Sequence, residues 1–338
     1  MSAPGHARDA LAPLLEVEGL RTHFFTRTGV VKAVDDVSFT VRKGEVLGLV
    51  GESGSGKSMT GYSIMGLIDP PGRIVDGKIR LNGRDLRTLS AEELRQLRGN
   101  RIAMIFQDPM MTLNPVLSVA VQMVETILAH EKVSRAAALD RARAALVKVG
   151  IPSPEERLKA YPHQFSGGMR QRVAIAIALL NNPDLIIADE PTTALDVTIQ
   201  GQILFEMQKL TQETGAAMIW ITHDLSVVAG LADRVCVMYA GRIVEQGSVS
   251  DVLSQPRHPY TQGLLDSVPS RSARGARLKQ IPGMAPSVLD LPAGCAFRDR
   301  CGYATDVCAV MPEMRLAGDV AGGQTVRCHH PLGVGAPS

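Results

Sequence analysis

Short, continuous apolar runs recur along most of the chain and predict strands that are buried on both faces. Three of them stand out: Ile102–Phe106, Leu185–Ala188 and Ala217–Thr222. Runs of this kind are typical of a parallel sheet covered by helices, so the pattern predicts an α/β fold.

Further β-rich stretches alternate with turns. Near the start, the runs are Val37–Val41, Val46–Val50 and Lys78–Leu81, and turns are expected at Gly44, Gly77 and Gly83. Later, Arg234–Tyr239, Ala240-Gly241 and Arg242–Glu245 predict a strand, a tight turn and a second strand.

Between Leu117 and Gly150 the apolar spacing becomes helical. Ser134 is placed to cap the second of two helices, and Gly150 is placed to end it. The predicted apolar faces are Val119, Met123 and Ile127 on the first helix, and Leu139, Ala142, Leu146 and Val149 on the second. We therefore expect a helical insertion, at about residues 107–180, within the α/β domain.

The ends of the chain have less regular patterns. Residues 1–13 contain Pro4, Gly5 and Pro13 without periodicity and predict a flexible tail. Prolines and glycines become frequent after Gln255-Pro256. We therefore predict one main domain at 14–256 and a small, irregular C-terminal domain at 257–338.

Composition excludes several classes of protein. The 338 residues are 45% hydrophobic and 21% charged, which is ordinary for a globular protein. The net charge of +2 gives no basic surplus of the kind that nucleic-acid binders carry, so we expect no nucleic-acid partner. No apolar run reaches the ~20 residues that a membrane-spanning helix needs, and the first ten residues lack a signal-peptide core. We expect a cytoplasmic protein that reaches a membrane only through partners.

A glycine-rich loop follows the strand Val46–Val50 and opens a helical run, which is the context that a Walker A phosphate loop requires. Glycines let the backbone wrap a polyphosphate, while backbone N–H groups and the helix N-terminus supply positive potential. In this arrangement Lys57 reaches the β- and γ-phosphates of ATP and the Ser58 hydroxyl holds Mg²⁺. The candidate nucleotide-binding residues are Gly51, Ser53, Gly54, Gly56, Lys57, Ser58 and Met59.

Two acidic residues end the apolar strand Leu185–Ala188. Asp189 is placed to hold the metal ion, and Glu190 to orient the water that attacks the γ-phosphate. Acidic residues after a strand are common at solvated strand ends, but the phosphate loop upstream favours the catalytic interpretation.

A second glycine-containing helix N-terminus, Ser166-Gly167-Gly168, precedes the helical run Val173–Leu180. A helix N-terminus of this kind is a second possible anion site. With it the sequence resembles the ABC ATPase family, over about residues 14–247. The resemblance implies that this signature segment contacts the γ-phosphate of the nucleotide bound to the opposite subunit. It also implies a core with an antiparallel β subdomain and an inserted helical subdomain.

The remaining elements of the family occur in order. By resemblance, Gln107 is the Q-loop residue that senses the metal and the attacking water, Ala194-Leu195-Asp196 is the D-loop, and His223 is the switch histidine. The adenine is expected to stack on Phe24, with Phe25 as the alternative. Because Glu190 and His223 are both present, we expect a hydrolysis-competent ATP site, with Gln107 as the third catalytic residue.

Three segments are similar to the ATPases of oligopeptide and dipeptide permeases: 106–115, 161–164 and 257–261. The signature Met169–Arg172 resembles the first of the two ATPases of these importers. This implies a heterodimer with a sister ATPase, two membrane-spanning permease subunits and an extracytoplasmic binding protein, with the chain on the cytoplasmic face of the inner membrane. Nickel importers share much of this pattern, so the substrate stays open between peptides and nickel.

Four cysteines lie close together near the end of the chain: Cys295, Cys301, Cys308 and Cys328. Four thiolates can hold a 4Fe–4S cluster or a structural zinc ion. The closely spaced pairs of zinc sites are absent, and the resemblance to dipeptide-permease ATPases favours the cluster, with His329 or His330 as substitutes for one thiolate. Four reduced cysteines are the plain alternative, and Cys236 is expected to pack in the core.

Two other functional classes fit parts of the sequence. Non-transport ABC ATPases usually carry two cassettes or a coiled-coil insertion, and this chain has neither pattern. A regulatory module that senses metal or redox state through its cysteines would not need both Glu190 and His223.

Overall fold

The computed structural model describes residues 12–192, 197–268, 280–287, 289–317 and 323–333. The helices are α1 Lys57–Met65, α2 Ala91–Leu97, α3 Val119–Leu128, α4 Arg135–Lys148, α5 Pro154–Lys159, α6 Gly167–Leu179, α7 Val197–Thr214, α8 Leu225–Leu231, α9 Val249–Ser254 and α10 Pro259–Asp266. The strands are β1 Leu15–Thr26, β2 Gly29–Val41, β3 Val46–Val50, β4 Gly72–Leu81, β5 Arg84–Asp85, β6 Ile102–Ile105, β7 Leu185–Asp189, β8 Ala217–Thr222, β9 Arg234–Tyr239, β10 Arg242–Ser248, β11 Arg315–Leu316 and β12 Thr325–Val326.

The chain divides into two compact units. The first unit contains residues 39–45 and 78–218 with the residues before 19, and the second contains 19–38, 46–77 and the residues from 219 onward. No helix in the described ranges combines the length and the apolar character needed to cross a bilayer.

The first unit contains the parallel pair β6 and β7. Their residues pair from Ile102 with Leu185 to Ile105 with Ala188, and every one of them is buried. The predicted parallel arrangement is therefore confirmed for these two strands, although β6 ends one residue earlier than the apolar run Ile102–Phe106 suggested.

Helices α3 to α6 of the first unit enclose a core of their own. Val119, Met123 and Ile127 are fully buried on α3, as predicted. The predicted face of α4 was wrong at Leu139, which is 42% exposed. Residues four positions apart lie on the same face of a helix. The buried face of α4 consists of residues with this spacing: Ala138, Ala142 and Leu146.

Glycines act differently at two of the predicted turns. Gly77 lies inside β4 with φ 94°, so the strand continues through it. The turn comes at Asn82-Gly83, which joins β4 to β5 with φ values of 49° and 77°. Positive φ at both positions is typical of a type I′ hairpin, and Asn-Gly is its preferred sequence.

The second unit is built around β3, which is parallel to β9. Strand β9 turns back through Ala240-Gly241 into the antiparallel β10, as predicted. Beyond residue 256, β12 pairs with β10 and β11 pairs with β12, so the C-terminal segment extends this sheet. Phe297 packs in the same core as Val50, while Cys236 is fully buried on β9 as expected.

Candidate functional site

The phosphate loop of the second unit has the strand–loop–helix geometry predicted for it. β3 is buried along its whole length, and α1 begins at Lys57 directly after the loop. A Cβ atom on Gly51 would lie 2.2 Å from the Met238 carbonyl oxygen, and one on Gly56 would lie 2.3 Å from the Ala33 carbonyl oxygen. Gly56 also has φ 100°, so both positions exclude larger residues.

Lys57 is buried against its own loop. Its Nζ donates to the carbonyl oxygens of Gly51 at 2.8 Å and of Glu52 at 3.0 Å. Ser53 and Gly54 form the exposed tip of the loop, and Ser58 and Met59 lie half-buried in the first turn of α1. The loop therefore presents backbone N–H groups and a held ammonium group, which is the chemistry of a phosphate site.

The first unit brings two of the predicted catalytic residues into contact. Asp189 ends β7 and is buried, and Glu190 follows it with φ 44°. Gln107 comes after the neighbouring β6, and its Nε2 donates to Glu190 Oε2 at 3.3 Å. A positive φ in a residue other than glycine is strained, and such strain is common at functional sites.

The signature segment begins α6 in the same unit. Ser166 is the N-cap residue, and its Oγ accepts a hydrogen bond from the Met169 N–H at 3.3 Å. Ser166 and Gly167 are exposed and Gly168 is half-buried. Apart from its chain neighbours and the backbone of its own helix, no described residue would lie within 4 Å of a Cβ atom on Gly167, so packing against other elements does not demand glycine there.

The other predicted residues lie on separate elements. His223 is exposed directly after β8 in the second unit. Phe24, on β1, lies against Gly72, while Arg73 stacks 4.2 Å above the ring of Phe25. The predicted D-loop, residues 194–196, lies outside the described residues.

None of the four C-terminal cysteines forms a disulfide, and all four belong to the second unit. Burial raises the pKa of Cys295 and Cys301, and it raises the pKa of Cys328 to about 12. Each of these pKa values is raised further by charge on neighbouring cysteines, so the four thiols lie close enough to influence one another.

The thiols do not form a compact metal site. In the described ranges, no group of three or more His, Cys, Asp or Glu residues is arranged to hold a metal ion. The alternative ligands have other partners: His329 Nε2 lies 2.9 Å from the Val310 carbonyl oxygen, and His330 Nε2 lies 2.7 Å from Thr305 Oγ1.

Sequence reasoning missed three residues at the phosphate loop: Glu52, Tyr260 and Arg300. Glu52 occupies a variable position of the motif, and the other two lie more than 200 residues downstream. No local pattern in one sequence connects such distant positions.

The family model described as "ABC transporter" matches residues 34–193, and the model described as "Oligopeptide/dipeptide transporter, C-terminal region" matches 244–308. The oligopeptide transport ATP-binding protein OppD of Salmonella typhimurium is 51% identical over 319 residues, which cover 94% of each chain.

The chain belongs to the ABC transporter family. The dipeptide transport ATP-binding protein DppD of Escherichia coli is 48% identical to this ABC ATPase, over 94% of its chain and 97% of the relative. A dimeric post-hydrolysis structure of the ATP-binding cassette MJ0796, bound to ADP and Pi, is 26% identical with a TM-score of 0.64. It covers 70% of this ABC ATPase and 98% of the cassette. The predicted family and fold class are thereby confirmed.

Proposed function

We propose that this chain is the ATP-hydrolysing subunit of an importer of oligopeptides or dipeptides. The observation that carries the proposal is the phosphate loop, in which Lys57 is held inside a glycine turn at the start of α1. Family membership and relatives named as peptide transport ATP-binding proteins support the same activity.

Each candidate residue has a distinct part in hydrolysis. Lys57 and the loop N–H groups bind the β- and γ-phosphates. Ser58 and Asp189 offer the hard oxygen ligands that suit Mg²⁺, which when bound neutralises charge on the phosphates. Glu190, which Gln107 holds by a hydrogen bond, orients the attacking water, and His223 donates a hydrogen bond to the γ-phosphate.

ATP closes a pair of ATPase subunits in this proposal. Ser166, Gly167 and Gly168 of one subunit contact the γ-phosphate bound by the other. The exposed Ser166 and the open space beside Gly167 support this role, since a helix start with room beside it accommodates an anion. The partner is a sister ATPase, and the adenine stacks on Phe24.

The assembly contains two membrane-spanning permease subunits and an extracytoplasmic binding protein. The ATPase is peripheral, on the cytoplasmic face of the inner membrane, and passes the opening and closing of the pair to the permeases. The alternative cargo is nickel. It is less favoured because the C-terminal match is to the oligopeptide/dipeptide region.

The four cysteines are proposed to hold a 4Fe–4S cluster, with zinc as the alternative. The resemblance to dipeptide-permease ATPases supports the cluster, and thiolates are the usual ligands of such clusters. Because the described residues contain no ready-made metal group, the four thiols would have to move together to bind it. Protein purified without oxygen should absorb at about 400 nm if a cluster is present. A colourless, zinc-containing protein would favour zinc, and a metal-free protein would contradict both.

Reconstitution in lipid vesicles tests the proposed function. The ATPase is assembled with its sister subunit and permeases, and ATP turnover is measured with binding protein loaded with peptide, with Ni²⁺ or with neither. We expect peptide to stimulate turnover, and a Glu190→Gln variant to abolish the stimulation. Stimulation by Ni²⁺ alone would identify nickel, rather than peptide, as the transported substrate. An absence of ATP turnover in every condition would contradict the ATPase role.

A further inference from the structure

The phosphate loop carries a carboxylate at its second position. Glu52 lies beside Gly51, and its side chain is 31% exposed. A negative charge next to a site for a polyphosphate repels the ligand unless a cation offsets it. The surroundings of Glu52 therefore bear directly on nucleotide affinity.

Arg300 supplies that cation from the C-terminal segment. Its NH1 donates to Glu52 Oε2 at 2.7 Å, and its NH2 donates to Oε1 at 3.0 Å. This is the bidentate geometry of the strongest charge-assisted hydrogen bonds. The Arg300 side chain is only 6% exposed, so solvent screens the pair weakly.

Other contacts hold the guanidinium in place. Arg300 Nε donates to the Pro282 carbonyl oxygen at 2.9 Å, and NH1 also lies 3.2 Å from Tyr239 Oη. The three guanidinium nitrogens thus all have partners. A long side chain fixed in this way loses little further entropy when it holds Glu52.

The backbone of Glu52 is fixed by the same segment. Its N–H donates to Tyr260 Oη at 2.8 Å, and its carbonyl oxygen accepts from Lys57. Tyr260 is fully buried, with ring centroids 4.6 Å from Tyr239 and 5.4 Å from Phe297. The aromatic cluster therefore acts as a rigid support for one side of the loop.

We propose that Arg300 is a positioning residue for ATP binding, acting through Glu52. It neutralises the carboxylate that would repel the triphosphate, and with Tyr260 it holds a glycine-rich loop in its binding shape. A preformed loop binds more tightly because less conformational entropy is lost on binding. The inference rests on the proposed function of this loop.

The placement of Arg300 links the cysteine segment to nucleotide affinity. Arg300 ends the 3₁₀ turn Arg298–Arg300, which lies between Cys295 and Cys301. The same turn provides a matched control, because the Nε of the half-exposed Arg298 donates to the neighbouring Asp299 at 3.2 Å. Replacement of Arg298 removes the same charge from the same turn and leaves the hydrogen bonds between Arg300 and Glu52 in place.

The experiment compares Arg300→Gln, Arg298→Gln and the double variant Glu52→Gln/Arg300→Gln. Full-length proteins are titrated with a fluorescent ATP analogue, and KM and kcat for ATP are measured in the assembled complex. Thermal midpoints of each variant report folding. If Arg300→Gln fails to fold, Arg300→Lys carries the test, because it keeps the charge but loses the bidentate geometry.

We expect Arg300→Gln to raise the Kd and KM for ATP roughly tenfold, with kcat within about twofold of wild type. Arg298→Gln should stay within about twofold of wild type for Kd, as expected for a surface charge. The double variant should bind ATP more tightly than Arg300→Gln alone, because the unpaired carboxylate is gone. In the fallback case, Arg300→Lys should weaken binding about threefold.

Three results would overturn the proposal: wild-type affinity in Arg300→Gln or, in the fallback case, in Arg300→Lys; an equal loss in Arg298→Gln; or no recovery in the double variant. Each of these results leaves the proposed function intact if wild type hydrolyses ATP. Wild-type protein that neither binds nor hydrolyses ATP would contradict the proposed function as well.

Discussion

At the scale of single residues, the ammonium group of Lys57 occupies the inside of the phosphate loop through hydrogen bonds to two carbonyl oxygens. A bound triphosphate would offer it stronger, charged acceptors. The lysine is thus positioned in advance and needs to move only a short way to reach the phosphates.

Replacement of Lys57 tests the nucleotide site directly. Lys57→Ala should weaken ATP binding roughly a hundredfold, because one charge-assisted contact to two phosphates is lost from a buried position. Titration with a fluorescent ATP analogue measures the change. Retention of wild-type affinity would mean that the loop does not bind the phosphates as proposed.

Glu190 allows binding and chemistry to be separated. Glu190→Gln keeps the size of the side chain and removes its charge, so ATP should still bind while turnover falls roughly 10²- to 10⁴-fold. Binding is followed by titration and turnover by phosphate release. Wild-type turnover would exclude Glu190 as the residue that orients the water.

At the scale of elements, α10 begins with a histidine cap. His258 Nδ1 accepts from the Tyr260 N–H at 3.0 Å, and the side chain is fully buried. Burial lowers the pKa of His258 to about 3. The folded protein therefore keeps a neutral imidazole at pH values where the unfolded chain, with a pKa near 6.5, takes up a proton.

This difference sets the sign of a pH dependence. The stabilising contribution is complete above pH 6.5 and is lost as the pH falls toward about 3, by up to about 1.4 kcal/mol per pH unit. His258→Asn keeps a good N-cap and removes the titration, so its free energy of unfolding should vary less with pH in this window. Chemical denaturation at several pH values measures this.

A nearby carboxylate, Glu245, also contributes to the pH dependence of the free energy of unfolding, and its contribution must be distinguished from that of His258. Glu245 accepts from the backbone N–H groups of Arg257 and His258, and burial raises its pKa. Its contribution has the opposite sign, because the folded state binds the proton more tightly as the pH falls through that raised pKa. Glu245 is present in both proteins, so the difference between wild type and His258→Asn isolates the histidine. Equal pH profiles would contradict the assignment.

At the scale of the whole molecule, the signature segment is proposed to act only across a pair of subunits. Ser166→Ala should leave the ATP affinity of the isolated chain unchanged and lower turnover in the assembled complex roughly tenfold, because the donor to the opposite γ-phosphate is lost. Binding is measured on the purified Ser166→Ala chain, and turnover is measured after the same protein has been assembled with its partners. Weaker ATP binding in the isolated chain would instead indicate a role within its own subunit.

Ser166 is also a helix cap, so its replacement has a structural cost. Loss of an N-cap serine costs about 1 kcal/mol of stability. Ser134 is a comparable cap at α4, where its Oγ accepts a hydrogen bond from the Ala137 N–H, and Ser134→Ala removes it. This control should lose a similar amount of stability but keep wild-type turnover.

Local patterns in the sequence were enough for much of this protein. The strand–loop–helix at Gly51, the buried β6 and β7, the hairpin turn at Ala240-Gly241 and the Ser134 cap all follow from neighbouring residues. Hydrophobic spacing, turn chemistry and capping depend on residues that are close together in the chain, so a single sequence is enough to predict them. The family also follows, since its motifs are short and ordered.

Tertiary structure alone decided which distant residues meet. The pairing of Arg300 with Glu52 spans 248 positions, and the exposure of Leu139 depends on which helices pack against α4. Such contacts form when whole helices and strands bury their apolar faces against one another. The free energy of this packing depends on residues far apart in the chain, so a short window of sequence does not reveal it. For this reason the motif of the phosphate loop was predictable, while the side chains that support it were not.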